Sequence, residues 1–233
     1  MVEVTLKTSQ TSIDPFEKVL QRLAQEIVLA KTYLKWAIAI PNADPVVLNT
    51  APMFFSLSVH GYLVLTQLHI ARLYDKSENT MTIFSLLSSA KSHREAFCNK
   101  DELDRFIAET ESTTLPELKD TLESIRKIRN KVFAHNDPKT LQNLEEFEKD
   151  LRLTKPDLEK ALITAGNILN GISVFYNDVT NYLELWQGDD YENALDLIAD
   201  AKCAEVEEFE KRFGIKADFE RPAKCSKHGI HNR

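Results

Sequence analysis

The sequence predicts an all-α fold, an antiparallel bundle of about five to seven helices. The chain of 233 residues contains only six glycines and eight prolines, and the prolines stand between long periodic segments. In those segments apolar residues recur every three or four positions, as on a helix with one buried face. We expect one helical domain at residues 12–214, with its core at 12–185 and an acidic helix at 190–214. A loose N-terminal arm at 1–11 and a tail at 215–233 flank it.

The first predicted helix begins at a clear N-terminal signal. Asp14 can accept hydrogen bonds from the free amides, Pro15 suits the first helical position, and Glu17 completes a capping-box pattern. Apolar residues then recur at helical spacing until Pro41 and Pro45 end the segment. We therefore expect a long amphipathic helix as the first element of the bundle.

The second predicted helix begins near Pro52 and runs to about Tyr74. Apolar residues lie on nearly every side of it, which predicts a position in the middle of the bundle. Its polar interruptions favour a core helix over a membrane span: His60, Gln67, His69 and Arg72. We also assign Trp36, Phe54, Phe55 and the pair Phe175-Tyr176 to the core, because they stand on apolar stripes.

The middle of the chain contains two shorter predicted helices. Thr80 or Thr82 can cap one that runs through Leu87, and another spans about residues 101–111. The next helix begins at the capping-box sequence Thr114-Leu-Pro-Glu117 and is stopped by Pro138. Its inner stripe is Leu115, Leu118, Leu122, Ile125, Ile128 and Val132.

The last two predicted helices complete the bundle. One starts at Thr154-Lys-Pro-Asp157 and carries an apolar stripe as far as Leu183. The other is acidic, runs from about Tyr191 to Phe213, and ends at Gly214.

The charge balance argues against a protein that coats nucleic acid non-specifically, because 29 Lys and Arg face 36 Asp and Glu for a net charge of −7. It still allows a local basic cleft. Cys98, Cys203 and Cys225 form no closely spaced pair, which predicts no disulfide framework and a reducing cytoplasm. The first residues lack the apolar run of a signal peptide, and we expect no membrane association.

A basic cluster without an acidic residue lies near the end of the helix that Pro138 stops. Its members are Arg126, Lys127, Arg129 and Lys131. Such a cluster can attract phosphates, but cations also complement the dipole at a helix C-terminus. We interpret Arg126, Lys127 and Lys131 mainly in the second way, with a supporting phosphate contact as the alternative.

Arg129 and His135 are the candidate catalytic pair. A guanidinium binds phosphate through two hydrogen bonds, and an imidazole exchanges protons near neutral pH. A histidine at this place can also simply cap helix carbonyls. Six steps of about 100° would leave the two side chains roughly 120° apart on a regular helix. We therefore predict a loosened helix end at residues 134–137.

Other polar residues have simpler interpretations. Arg72 and Asp75, three positions apart, are best explained as an ion pair within one helix. The alternatives are that they belong to the functional site, or that one of them buttresses the motif helix. His60 and His69 lie on opposite sides of their helix and suit a core or an interface. The spacing of Cys225, His228 and His231 matches no ordinary zinc site, and we predict neither a metal nor a cofactor.

Two segments resemble a known family. Arg129-Asn130 followed by four residues and His135 resembles the motif of the HEPN superfamily, whose nucleases carry an Arg, often a polar neighbour, and a His. Residues 71–75, Ala-Arg-Leu-Tyr-Asp, and residues 122–137, which end in Ala-His-Asn-Asp, look like its AbiU-type abortive-infection branch. The resemblance covers about residues 12–185.

The resemblance implies a HEPN-like homodimer in which two copies of Arg129 and His135 line one cleft, and a metal-independent endoribonuclease of phage defence or a toxin system. His135 would move the proton and Arg129 would stabilise phosphate charge, giving a cyclic phosphate and a 5′-OH. Asn130 and Asp137 would support them. RNA is the expected substrate and an antitoxin or regulatory protein a possible partner. Two alternatives stay open: a non-catalytic module that binds RNA, a nucleotide or a protein, and a helical protein that serves interaction alone.

Overall fold

The computed structural model describes residues 14–77, 80–130, 153–183, 190–216, 220–223 and 225. Within these ranges the chain forms seven α-helices of ten residues or more, one single-turn helix, and no β-strand, which confirms the predicted all-α bundle. The helices are α1 (Pro15–Ala39), α2 (Pro45–Leu48), α3 (Pro52–Leu73), α4 (Ile83–Ser92), α5 (Lys100–Glu109), α6 (Lys119–Ile128), α7 (Lys155–Asn177) and α8 (Asp190–Phe213).

The centre of the bundle is an antiparallel pair formed by α1 and α3, against which α7 packs. Cross-helix contacts fix the register, because Glu26 meets His69 and Tyr33 stacks on Tyr62. The largest fully buried side chains come from α1, from α3 to α7 and from the turn just before α6, with Leu23, Ile27, Ile70, Leu86, Ile107, Leu118, Ile125 and Leu162 among them. This shared core holds the C-terminal ends of α3 and α6 near each other.

Two predicted helix starts are confirmed in atomic detail. The amide of Phe16 donates to Asp14 Oδ1 over 2.7 Å at the start of α1. At the start of α7 the Thr154 amide donates to Asp157 Oδ2 over 2.8 Å, and the Asp157 amide donates back to Thr154 Oγ1. These bonds satisfy amides that a helix leaves free at its first turn.

Two predicted boundaries are wrong. The helix before the motif begins at Lys119 and not at Thr114, because residues 110–114 form a π turn and residues 116–118 a 3₁₀ turn. Helix α7 ends at Asn177 and not at Leu183. Asp178 there takes the left-handed conformation, with φ of 55°.

Residues 178–183 fold back along α7 instead of extending it. The Asn181 amide donates to Asn170 Oδ1 over 2.8 Å. Leu183 is buried beside Gly166, where an added Cβ would come within 2.9 Å of its Cδ1. Leu183 therefore joins the core, as its apolar character predicted, but from outside the helix.

Helix α3 is buried mainly toward its C-terminal end, so its predicted place in the middle of the bundle is wrong for most of the first half. The most apolar 18-residue window has a mean hydropathy of 1.2, and only 22% of it is buried. Met53, Phe54 and Leu57 are 72%, 64% and 61% exposed, whereas Phe55 is buried. The assignment of Phe54 to the core is therefore also wrong. By length and composition α3 is the one described helix that could cross a membrane, which is weak support for a span because core helices pass the same test.

The described part of the C-terminal tail is tied to α8 and α2. Arg221 pairs with Glu210, and the amide of Ala223 donates to Asp44 Oδ2 over 2.6 Å. Cys225 forms a disulfide with Cys203, so the prediction of no disulfide is wrong for this pair. Their spacing of 22 residues carried no signal of this contact, which depends on how the tail folds back. The cytoplasmic location stays a prediction. The loose N-terminal arm predicted at residues 1–11 lies outside the described residues.

Candidate functional site

Arg129 lies immediately after α6, where the helix widens. The α-helix ends at Ile128, and Arg129 and Asn130 continue it as a π-type turn. The Arg129 Nε donates to Asn130 Oδ1 over 3.0 Å, and its Nη1 donates to Asp75 Oδ2 over 3.2 Å. The Arg129 side chain remains 31% exposed. The guanidinium is thus oriented by two acceptors while part of it still faces solvent.

Asp75 has a different partner from the one the sequence favoured. It was expected to pair with Arg72 within one helix, but its carboxylate pairs with Arg129, 54 positions away. The bond between the residues at 72 and 75 is a backbone one, from the Asp75 amide to the Arg72 carbonyl. The structure therefore agrees with the alternative interpretation, in which Asp75 buttresses the helix that carries Arg129.

The end of α3 that carries Asp75 is anchored to α7. The hydroxyl of Tyr74 donates to the carbonyl of Ala161 over 2.8 Å. Tyr74 is buried, and this burial raises the pKa of its phenol well above the usual range. The hydroxyl therefore stays a neutral donor that holds the end of α3 in place. This anchor fixes the position of the carboxylate that meets Arg129.

A cavity of about 900 Å³ opens beside Arg129, between the end of α3, α4 and the segment from residue 111 to 130. Its size is at the upper end of ordinary small-ligand sites. Apolar and charged residues share the lining. The apolar ones are Ala71, Tyr74, Phe84, Leu115, Pro116, Leu122 and Ile125, and the charged ones Asp75, Lys76, Glu111, Lys119, Glu123, Arg126 and Arg129.

All three carboxylates of the cavity are paired with cations. Glu111 accepts from Lys91 over 2.6 Å and Glu123 lies 3.3 Å from Lys127, while Asp75 pairs with Arg129. Lys91 and Lys127 lie outside the lining. Three cations of the cavity form no ion pair with any described residue: Lys76, Lys119 and Arg126. The cavity is therefore locally positive on an acidic chain.

The structure separates the members of the basic cluster. Arg126 lines the cavity, whereas Lys127 points to Glu123 and does not. Lys131, His135 and Asp137 lie outside the described residues, and so does the predicted loosening at 134–137. The convergence of Arg129 and His135 therefore stays a prediction. Asn130 contacts Arg129, as a supporting residue should, although its catalytic role also stays a prediction.

Other candidate residues lie apart from Arg129. Arg72 lines a second cavity of about 470 Å³ together with Arg22, Glu26 and Asp75. His69 is buried against Glu26, which confirms its interpretation as a core histidine, and His60 is exposed. His228 and His231 lie outside the described residues, so the prediction about the tail stays open.

Sequence reasoning missed two contributions to this site. Asp75 was considered, but its contact with Arg129 joins the ends of two helices far apart in sequence. Lys76 and Lys119 were not considered, because each stands alone in the sequence outside the basic cluster. The signal that could have assigned Asp75 to the site was its position in residues 71–75, one of the two segments that resemble the AbiU-type branch.

Comparison with known families identifies the one to which the chain belongs. The model of the AbiU2 family, HEPN_AbiU2, matches residues 13–197. That match spans both Asp75 and the segment from Arg129 to His135. No curated protein and no solved structure matches the chain.

Proposed function

Because the chain belongs to the HEPN AbiU2 family, we propose that it is a metal-independent endoribonuclease of phage defence or of a toxin system. The observation that carries the proposal is the Arg129 guanidinium, held by Asp75 and Asn130 at the edge of a positive cavity. An arginine has five N–H groups, and these two bonds use two of them. The remaining donors can bind two oxygens of one phosphate.

The proposed reaction is transesterification within RNA. The 2′-oxygen attacks the neighbouring phosphorus, the bond from phosphorus to the 5′-oxygen breaks, and the products are a 2′,3′-cyclic phosphate and a 5′-OH. His135 takes the proton of the 2′-OH or gives one to the leaving 5′-oxygen. Arg129 stabilises the charge that builds on the non-bridging oxygens. The need for a 2′-OH makes RNA, and not DNA, the substrate.

We expect the purified protein to cleave RNA in the presence of EDTA and to leave cyclic phosphate ends. The substitution His135→Ala should abolish this cleavage, because no other group would then move the proton at that position. Gel analysis of the products, with circular dichroism as a folding control, measures both effects. A 2′-O-methyl RNA of the same sequence should resist cleavage. Undiminished cleavage by His135→Ala would contradict the proposal. Binding of RNA without any turnover would instead favour the non-catalytic module.

The proposal includes a homodimer, and one surface of the chain suits a second copy. We call it the α3 face: Met53, Phe54, Leu57, Gly61 and Leu65. No Asp, Glu, Lys or Arg occurs from Pro52 to Ala71, so two such faces meet without charge repulsion. A Cβ added at Gly61 would meet nothing within 4 Å, which leaves room for a close helix crossing. An exposed apolar patch of this kind is typical of a protein interface.

The area of the α3 face suits a substantial part of a dimer interface. At roughly 200 Å² for a fully exposed large side chain, its four large residues offer about 450 Å², against the ~800 Å² that each partner buries in a standard interface. The lack of cations between Pro52 and Ala71 makes the face a poor match for an anionic membrane. A parallel pairing of two α3 helices would place both copies of Asp75 and Arg129 at the same end.

We expect Leu57→Cys, in a Cys98→Ser background, to form a disulfide-linked dimer under mild oxidation. In a parallel pairing each position 57 faces its own copy, whereas in an antiparallel crossing at Gly61 position 57 faces position 65. Non-reducing electrophoresis measures the linked fraction. Leu197→Cys, at a site 70% exposed on α8 and outside the α3 face, is the matched control and should form no disulfide-linked species on the same gel. A chain that sediments as a monomer, or that binds neutral and anionic vesicles through the α3 face, would exclude this dimer.

A further inference from the structure

The cavity beside Arg129 has a composition that a bare phosphate does not require. Phe84, Pro116 and Leu122 line it with apolar surface, and Lys76, Lys119 and Arg126 line it with cations. An inorganic anion would use the cations and leave the apolar lining in water. A purely apolar ligand would contact the apolar lining but remove water from Lys76, Lys119 and Arg126. These three cations have no ion-pair partner among the described residues, so their desolvation would be unfavourable. The lining therefore fits a ligand that is both anionic and flat or apolar.

Phe84 carries the strongest indication of what that ligand is. Its ring is only partly buried, it lines the cavity, and Lys76 Nζ lies 5.5 Å from the ring centroid. The ring also contacts Tyr74, with centroids 6.5 Å apart in a T-shaped arrangement. An aromatic ring that is partly exposed in a cavity, with a cation nearby, is an arrangement on which nucleic-acid bases stack, because every base offers a π-face. The other two cations, Lys119 and Arg126, come from the two ends of α6, the helix that leads to Arg129.

We propose that this cavity holds one nucleoside of the bound RNA next to the phosphate on Arg129. The base lies against Phe84, and the flanking phosphate lies by Lys119 and Arg126. The proposal rests on the proposed function, since it names how that site holds its substrate. Stacking does not depend on base identity, so the site contributes affinity and position more than sequence preference.

The test measures binding without cleavage. The probe is a fluorescent trinucleotide of 2′-O-methyl adenosine, which cannot undergo attack by the 2′-oxygen, and its comparison is the same trimer lacking all three bases. Fluorescence anisotropy at fixed salt gives both dissociation constants. We expect the base-bearing trimer to bind roughly 5- to 150-fold more tightly, which is the fold-change for ~1–3 kcal/mol of stacking on one aromatic side chain. Equal binding of the two trimers overturns the proposal.

Three variants assign the effect to the cavity. Phe84→Leu keeps an apolar side chain and should remove most of the preference for the base-bearing trimer. Arg126→Gln should weaken both trimers and reduce the salt dependence of binding, without changing the preference. Lys127→Gln is the matched control, because Lys127 is adjacent in sequence to Arg126 but does not line the cavity. It should change the preference by less than about twofold, given the small value of its exposed ion pair.

The outcomes separate this proposal from the nuclease. If Phe84→Leu fails to fold by circular dichroism, Lys119→Gln together with Arg126→Gln still tests the phosphate contact through exposed residues. Unchanged affinity in that double variant overturns the placement of the phosphate. Base-dependent binding that requires Phe84, in a protein that cleaves no RNA, would remove the nuclease and support the nucleoside site. If Phe84→Leu cleaves RNA at the normal rate and the wild-type protein shows no preference for the base-bearing trimer, the nuclease would be supported and the nucleoside site removed.

Discussion

Replacing Arg129 with lysine is expected to lower the rate of RNA cleavage by about 10²- to 10³-fold, although the positive charge is kept. A guanidinium can bind two phosphate oxygens while it also donates to Asp75 and Asn130, as the observed bonds from Nη1 and Nε allow. An ammonium is a compact charge that cannot satisfy all these acceptors in one geometry. Single-turnover cleavage of a short RNA in EDTA measures the effect.

Lys127→Arg is the matched control for Arg129→Lys. It makes the opposite exchange two positions earlier, at a residue that pairs with Glu123 and lies outside the cavity lining. The control should keep the wild-type cleavage rate. A lysine at position 129 that supports the full rate would show that only charge is needed there, and the bidentate role of Arg129 would have to be abandoned.

Asp75 allows the same idea to be tested through a second residue. As a positioning residue it acts on the phosphate only through Arg129, from 3.2 Å away. Asp75→Asn should therefore lower the rate in the wild-type background but add little to Arg129→Lys, because residues that act as a unit are not additive. Losses that multiply in the double variant would indicate that Asp75 has a separate role.

Local capping signals predicted two helix beginnings correctly but failed at Thr114, where a π turn and a 3₁₀ turn precede the helix. The caps at Asp14 and Thr154 depend on a few neighbouring residues, and both were correct. The end of α7 depends instead on the pairing of Asn170 with Asn181 and on the packing of Leu183 by Gly166, contacts that form only when the segment folds back. The apolar stripe of α7 keeps its helical spacing past Asp178, so periodicity alone predicted that the helix continues through the turn there.

The first half of α3 shows a second limit of sequence patterns. A helix that is apolar all round is expected in a core, yet the same composition suits a helix with one face toward its own chain and another toward a partner. Phe55 faces inward and Phe54 outward, although the two are neighbours of the same type. The site shows the same division: residue types indicated Arg129, whereas its contact with Asp75 depends on where two helices end.

Replacing His69 with leucine is expected to lower the free energy of unfolding by about 3 kcal/mol, because it breaks a buried polar pair and leaves the partner carboxyl in the core. His69 Nδ1 lies 2.5 Å from Glu26 Oε2, and the two residues are only 8% and 7% exposed. Arg22 also contacts Glu26, over 2.6 Å, but its side chain is mostly exposed. The pair joins α1 to α3 six positions before Asp75.

Thermal unfolding followed by circular dichroism measures this loss, and a fall of roughly 6–12 °C in Tm is expected for a chain of this size. His60→Leu is the matched control, since His60 lies on the same helix but is exposed, and its Tm should stay nearly unchanged. The double variant Glu26→Leu with His69→Leu should recover much of the loss, because apolar residues can replace a buried polar pair. If the double variant were less stable than His69→Leu alone, Glu26 would be stabilised mainly by Arg22. Because Arg22 and Glu26 both lie on α1, the connection between α1 and the end of α3 would then depend on the apolar core rather than on the buried polar pair.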